Sequence, residues 1–124
     1  MMQRHAVLIV EDDENLSAVL ARSLRARRIE VVEAASAEAA IELLGKGLRP
    51  LLVMLDLQLP GATGWDFLRE ADLTNAGSPP VVITSAASVS PRRLADASVA
   101  GYLPKPFALD AFLATVQQFI GAPR

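Results

Sequence analysis

Short apolar runs alternate with segments of helical periodicity along the whole chain. Five runs predict strands, at residues 6–10, 29–34, 51–55, 80–84 and 101–103. The segment after the first run has apolar residues at helical spacing, namely Leu16, Val19, Leu20 and Leu24. Further helices are predicted over 37–44, over 65–71, near residue 91 and over 108–120. Five successive βα units predict an α/β fold in which a parallel sheet is covered by helices on both faces.

Polar and special residues mark the ends of two of these helices. Ser36 is a good N-cap for the second helix, and Gly45 or Gly47 offers a natural stop. Ser90 is placed to cap the fourth helix, and Pro91 suits its first turn. These signals support the division of the chain into five units.

Three of the predicted strands end in charged residues. Glu11 and Asp12 follow the first strand, Asp56 follows the third and Lys105 follows the fifth. Ligands of doubly wound folds bind at the edge of the sheet where the carboxyl ends of the strands meet. Clustered carboxylates repel one another unless a cation joins them. The pattern therefore predicts a site for a divalent cation and a phosphate group at this edge.

Mg²⁺ suits such a set of oxygen atoms because it prefers carboxylates, carbonyls and water in octahedral geometry. We expect Asp12 and Asp56 to be direct ligands, Glu11 to act mostly through water, and the backbone carbonyl of Gln58 to complete the set. Asp56 can also serve as a nucleophile, since carboxylates form acyl phosphates in aspartyl-phosphate enzymes.

A cation and a hydroxyl would complete the phosphate site. Lys105 is one of only two lysines and should form an ion pair with Asp56 before the reaction and with the phosphoryl group afterwards. Thr84 and Ser85 compete for the role of the hydroxyl. Only one can serve, because adjacent strand residues point to opposite faces. Ser85 is favoured, since Ala86 after it leaves room above the acceptor.

These segments resemble the receiver domain of bacterial two-component response regulators over nearly the whole chain. The resemblance is carried, in chain order, by residues 10–13, 55–61, 83–86 and 102–107. It implies one receiver domain over residues 1–124. It also implies a flavodoxin-like, three-layer αβα fold whose five-stranded parallel sheet has the strand order 2-1-3-4-5.

The resemblance implies a function as well. Asp56 would accept a phosphoryl group from the phosphohistidine of a sensor histidine kinase or a histidine phosphotransfer protein, with Mg²⁺ as cofactor. Ser85 and Tyr102 would form a switch that reshapes the surface of the fourth helix, fifth strand and fifth helix. The domain would assist its own phosphorylation and dephosphorylation, would not be an enzyme in the ordinary sense, and would act on an unidentified downstream protein.

Two features depart from the family pattern. The stretch between Ser85 and Lys105 is short and lacks the customary Gly-Ala pair before the fifth strand, which predicts a short or displaced fourth helix. Thr63 stands where an acid is common, and no role is assigned to it.

Composition narrows the class of protein further. The net charge of −2 predicts no direct binding of nucleic acid. The chain has no cysteine, no apolar run long enough for a membrane helix and no signal-peptide pattern, so we expect a cytoplasmic protein that does not associate with membranes. Dimerisation through the fourth and fifth helices stays open.

Three other functions fit part of this pattern. The main alternative is a receiver-like protein-interaction module that is not phosphorylated, which the full set of acids, hydroxyl and lysine argues against. A phosphatase of the haloacid-dehalogenase type would need a second aspartate where Gln58 stands. A flavin-binding module would need a loop after the first strand that accepts phosphate, whereas residues 11–14 are all acidic.

Overall fold

The computed structural model describes residues 6–71 and 78–121. The strands of this part of the chain are β1 Val7–Val10, β2 Val31–Ala34, β3 Leu52–Asp56, β4 Val81–Ser85 and β5 Gly101–Pro104. The helices are α1 Glu14–Arg25, α2 Ala37–Gly45, α3 Gly64–Glu70, α4 Pro91–Asp96 and α5 Leu109–Ile120. All neighbouring strands are parallel, in the order β2-β1-β3-β4-β5. The predicted doubly wound α/β fold and its strand order are confirmed.

Two apolar layers cover the two faces of the sheet. Leu8, Leu55 and Ile83 point to the layer that contains Phe67 of α3. Their chain neighbours point to the opposite layer, which contains Phe112 of α5 and residues of α1. Because side chains alternate between the faces of a strand and both faces are covered, the central strands are apolar at every position before their carboxyl ends, where Asp56, Thr84 and Ser85 stand.

The predicted start of β2 was two residues too early. Arg28 has a positive φ of 63°, and the N–H of Ile29 donates a hydrogen bond to the carbonyl of Leu24. The turn that closes α1 therefore uses the chain as far as Ile29, and the strand begins only at Val31.

The fourth helix is short, as its sequence predicted. Ser90 caps it by accepting a hydrogen bond from the N–H of Arg93, and Pro91 occupies its first turn. It has six residues, and none of them is buried. No helix in residues 6–71 and 78–121 is long and apolar enough to cross a membrane.

Candidate functional site

Three carboxylates converge at the carboxyl ends of β1 and β3. Val10 and Leu55 are register partners in these neighbouring strands, so the residues that follow them, Glu11 and Asp56, lie side by side. Glu11, Asp12 and Asp56 each contribute a carboxylate oxygen, and these three atoms lie within 4.8 Å of one another. Glu11 and Asp56 are buried, whereas Asp12 is exposed. The structure thus brings together the acids that the sequence assigned to one site.

Lys105 supplies positive charge to this cluster. Its Nζ donates hydrogen bonds to Asp56 Oδ2 at 3.2 Å and to Glu11 Oε1 at 2.6 Å. The pair with Asp56 was expected, but the shorter pair with Glu11 was not. The backbone N–H of Lys105 bonds to the carbonyl of Ser85 at 2.8 Å, which fixes the start of the side chain beside β4. The peptide bond between Lys105 and Pro106 is cis.

The electrostatics of Glu11 and Lys105 reflect this contact. Burial raises the pKa of Glu11, the hydrogen bonds from Lys105 and from the Asp13 backbone oppose that rise, and the charge of Asp56 adds to it. Burial would lower the pKa of Lys105, but the hydrogen bond to Glu11 and the charges of Asp56 and Glu11 outweigh it, so the pKa is raised. The raised pKa keeps the lysine protonated at neutral pH, and burial of Glu11 beside it is the largest influence on the pKa of that acid.

The turn after β3 holds the Asp56 carboxylate from its other side. The N–H of Gln58 donates a hydrogen bond to Asp56 Oδ1 at 2.9 Å. Both oxygen atoms of Asp56 are thus oriented, Oδ1 by the backbone and Oδ2 by Lys105. Three carboxylates form a hard oxygen donor set, and that chemistry fits Mg²⁺. The part assigned to the Gln58 carbonyl stays a prediction.

Gly64 makes a close approach that the sequence did not reveal. A Cβ atom added to this glycine would lie 2.7 Å from the carbonyl oxygen of Asp56 and 2.8 Å from the Cα of Leu57. The first residue of α3 therefore packs directly against the backbone of Asp56 and Leu57. Thr63, which had no assigned role, caps α3 in a reciprocal pair of hydrogen bonds with Asp66. The spacing of Thr63 and Asp66 was the signal that could have identified this cap.

Ser85 and Tyr102 are linked through the backbone of Ala87. The Ser85 hydroxyl accepts a hydrogen bond from the N–H of Ala87 at 3.0 Å, and the Tyr102 hydroxyl donates one to the carbonyl of the same residue at 3.1 Å. Thr84 and Ser85 are both buried. Ser85 lines a cavity together with Gln58, whereas Thr84 is the register partner of Asp56. The assignment of Ser85 as the switch hydroxyl stays a prediction.

Comparisons with known proteins agree with this geometry. The sequence profile of the response regulator receiver domain matches residues 7–117. Response regulator MprA of Mycolicibacterium vanbaalenii is 35% identical over 115 residues, which are 92% of this chain and 49% of that protein. The chain spans about half the length of the curated relatives it matches.

Solved structures show the same likeness. The receiver domain of the hybrid histidine kinase CckA is 32% identical with a TM-score of 0.76, over 93% of this chain and 98% of that one. The CheY-like receiver protein of Methanospirillum hungatei JF-1 is 26% identical with a TM-score of 0.80, over 96% of each chain. The Vibrio cholerae chemotaxis protein CheY4, at 23% identity, a TM-score of 0.81 and coverage of 94% and 99%, supports the fold alone.

The chain belongs to the response regulator receiver domain family of two-component signalling. It is a signalling domain rather than a classical enzyme.

Proposed function

We propose that Asp56 accepts a phosphoryl group from the phosphohistidine of a sensor histidine kinase or a histidine phosphotransfer protein, in a reaction that depends on Mg²⁺. The observation that carries the proposal is the group of carboxylate oxygens from Glu11, Asp12 and Asp56 within 4.8 Å, with Lys105 Nζ 3.2 Å from Asp56 Oδ2. Such a site can hold a dianionic phosphoryl group only if cations meet both the acids and the phosphate.

In the transfer step a carboxylate oxygen of Asp56 attacks phosphorus. The bond between phosphorus and the imidazole nitrogen breaks, and the imidazole leaves with the electron pair. The N–H of Gln58 and the ammonium of Lys105 orient the two carboxylate oxygens before attack. After transfer, Lys105 remains within reach of the site as a counter-ion for a phosphoryl oxygen.

Asp12 and Asp56 would hold Mg²⁺ directly, with Glu11 acting through water and the Gln58 carbonyl completing the set. When bound, the ion supplies charge neutralisation for the carboxylates and for the phosphoryl oxygens. The exposure of Asp12 leaves the hollow accessible from solvent, while the burial of Asp56 limits the access of water to the acyl phosphate. Slow self-dephosphorylation fits this partial shielding.

The switch would run from Ser85 through Ala87 to Tyr102. If the Ser85 hydroxyl turns toward a phosphoryl oxygen, it would lose the hydrogen bond that it accepts from the Ala87 N–H and would donate one to the phosphoryl oxygen. The carbonyl of Ala87 anchors Tyr102, so the loop after β4 and the ring would move together. The surface of α4, β5 and α5 would then present a different shape to a downstream protein, in the cytoplasm where the kinase donor would act.

The experiment is intact-protein mass spectrometry after incubation with acetyl phosphate and Mg²⁺. We expect the native chain to gain the mass of one phosphoryl group, and Asp56→Asn to gain nothing. Asp110→Asn, on the exposed first turn of α5, is the matched control and should be modified like the native protein. Folded native protein that gains no phosphate would favour the interaction module that is not phosphorylated.

A further inference from the structure

A groove separates α3 from α4 on the side of α4 that faces away from β5. Its volume is about 450 Å³, within the range of sites that bind ligands. The described residues that line this α3–α4 groove are Trp65, Leu68, Arg69, Ser90, Arg92, Arg93, Asp96 and Ala97. No step of the proposed phosphoryl transfer uses them.

The rim of the groove is basic. The lining residues include three arginines and one acid, namely Arg69, Arg92, Arg93 and Asp96. The groove is thus positive, although the whole chain has a net charge of −2. Arg69 is paired with Asp66 on its own helix, but Arg92 and Arg93 are exposed on α4. Positive charge concentrated on one face of an acidic protein favours an acidic partner.

The floor of the groove is apolar and aromatic. Leu68 is buried, and Trp65 is half-buried with the guanidinium carbon of Arg93 4.3 Å from the ring centroid. In this cation–π contact the indole of Trp65 lies beside the Arg93 guanidinium, which can also bind a carboxylate. A large apolar side chain over Trp65 with acidic neighbours would satisfy both features, and interface hot spots have this combination of aromatic anchor and arginine.

The groove continues toward the acceptor site. A second cavity of about 300 Å³ shares Trp65, Ser90 and Arg93 with it and is also lined by Ser85 and Gln58. Because no residue of α4 is fully buried and only Leu94 of this helix packs against the core, a change at Ser85 can reach the groove with little repacking of the core.

We propose that the α3–α4 groove binds an acidic segment of a partner protein, which places an apolar side chain on Trp65 and carboxylates on Arg92 and Arg93. The expected signalling surface of α4, β5 and α5 would thus be joined by one on the opposite side of α4. Binding itself needs no phosphorylation; only the use of the groove for signal output rests on the proposed function.

The test is selection of short linear peptides from a random displayed library on the immobilised native chain, without Mg²⁺ or phosphate. Tryptophan-free peptides that are enriched should be rich in Asp and Glu around a large apolar residue. They should change the emission of Trp65, the chain's single tryptophan, and bind less tightly as salt is added. Arg92→Glu combined with Arg93→Glu should lower the affinity for these peptides by about tenfold or more.

Arg22→Glu combined with Arg27→Glu is the matched control, because it makes the same change in net charge at exposed positions of α1 and the turn after it. It should bind the selected peptides like the native chain. The proposal is overturned if no peptide is enriched, if the enriched peptides lack acidic residues, or if both double variants bind them equally. In a separate arm, beryllofluoride is added to the native chain together with Mg²⁺. Unchanged chemical shifts of the native chain would contradict the proposed function, while the peptide results still decide the groove.

Discussion

Lys105→Met should destabilise the protein in the absence of divalent cations. Methionine keeps most of the apolar stem but removes the ammonium that lies 2.6 Å from Glu11 and 3.2 Å from Asp56. At an effective dielectric constant of about 20, these two attractions are worth about 6 and about 5 kcal/mol before desolvation is counted. Removing one partner of a buried ion pair costs ~3–5 kcal/mol. The lysine side chain is 18% exposed. We therefore expect Lys105→Met to lower the free energy of unfolding by about 3 kcal/mol, the low end of that range.

The assay is urea unfolding followed by circular dichroism, with EDTA and with saturating Mg²⁺. The difference in free energy of unfolding between the native chain and Lys105→Met should be smaller in Mg²⁺, because the ion then supplies the missing positive charge. For the same reason Mg²⁺ should bind the variant more tightly than the native chain. Lys46→Met is the matched control, since Lys46 forms an exposed pair with Glu42 and its loss should leave the free energy of unfolding nearly unchanged. Equal stability of Lys105→Met and native protein in EDTA would refute the reasoning.

The same pair of proteins gives a pH test. The pKa of Lys105 is raised above its ordinary value of 10.5, so its stabilising contribution is fully present below pH 10.5 and is lost as the pH rises through the folded-state pKa. The difference in free energy of unfolding between native protein and Lys105→Met should therefore narrow above pH 10.5. A difference that stays constant through that range would contradict the assigned ion pairs.

Three further predictions concern single substitutions. Asp12→Ala should abolish the rise in melting temperature that Mg²⁺ gives the native chain, as measured by calorimetry; an unchanged rise would exclude Asp12 as a ligand. Gly64→Ala should lower the free energy of unfolding by about 1–3 kcal/mol through overpacking, whereas Gly45→Ala, with open space around it, should be neutral or slightly stabilising in urea. Tyr102→Phe removes the hydrogen bond to the carbonyl of Ala87 and should leave phosphorylation by acetyl phosphate intact. The chemical-shift changes that beryllofluoride causes in the loop after β4 should differ between this variant and the native chain. Identical chemical-shift changes in the two proteins would exclude a coupling between Tyr102 and this loop.

The parallel α/β fold and the grouping of the acids follow from local patterns, which explains why they were predictable, whereas the strand order was predicted from the resemblance to receiver domains. Apolar runs of strand length between helical segments define βα units, and the carboxyl ends of parallel strands share one edge of the sheet. These two patterns are enough to predict that Glu11 and Asp56 lie together. The start of β2 was misjudged because the turn that closes α1 also uses an apolar residue, Ile29.

Other features depend on distances in three dimensions. Lys105 follows β5 and Glu11 follows β1, and two strands lie between them, so the reach of the lysine stem decides which acid it meets first. The contact between Gly64 and the carbonyl of Asp56 depends on how closely α3 approaches β3, which no local pattern encodes. The basic groove likewise depends on how closely α3 and α4 approach each other in space.

The exposure of α4 has a consequence for how such a protein can change over time. In this helix of six residues none is fully buried and only Leu94 packs against the apolar core, so its other amino acids can be exchanged at small cost to folding. The acids and the lysine of the candidate site lie on other segments of the chain. Specificity for partners could therefore diverge by drift in this one segment, and an engineer could redirect the signal by rewriting it while the reactive centre stays as it is.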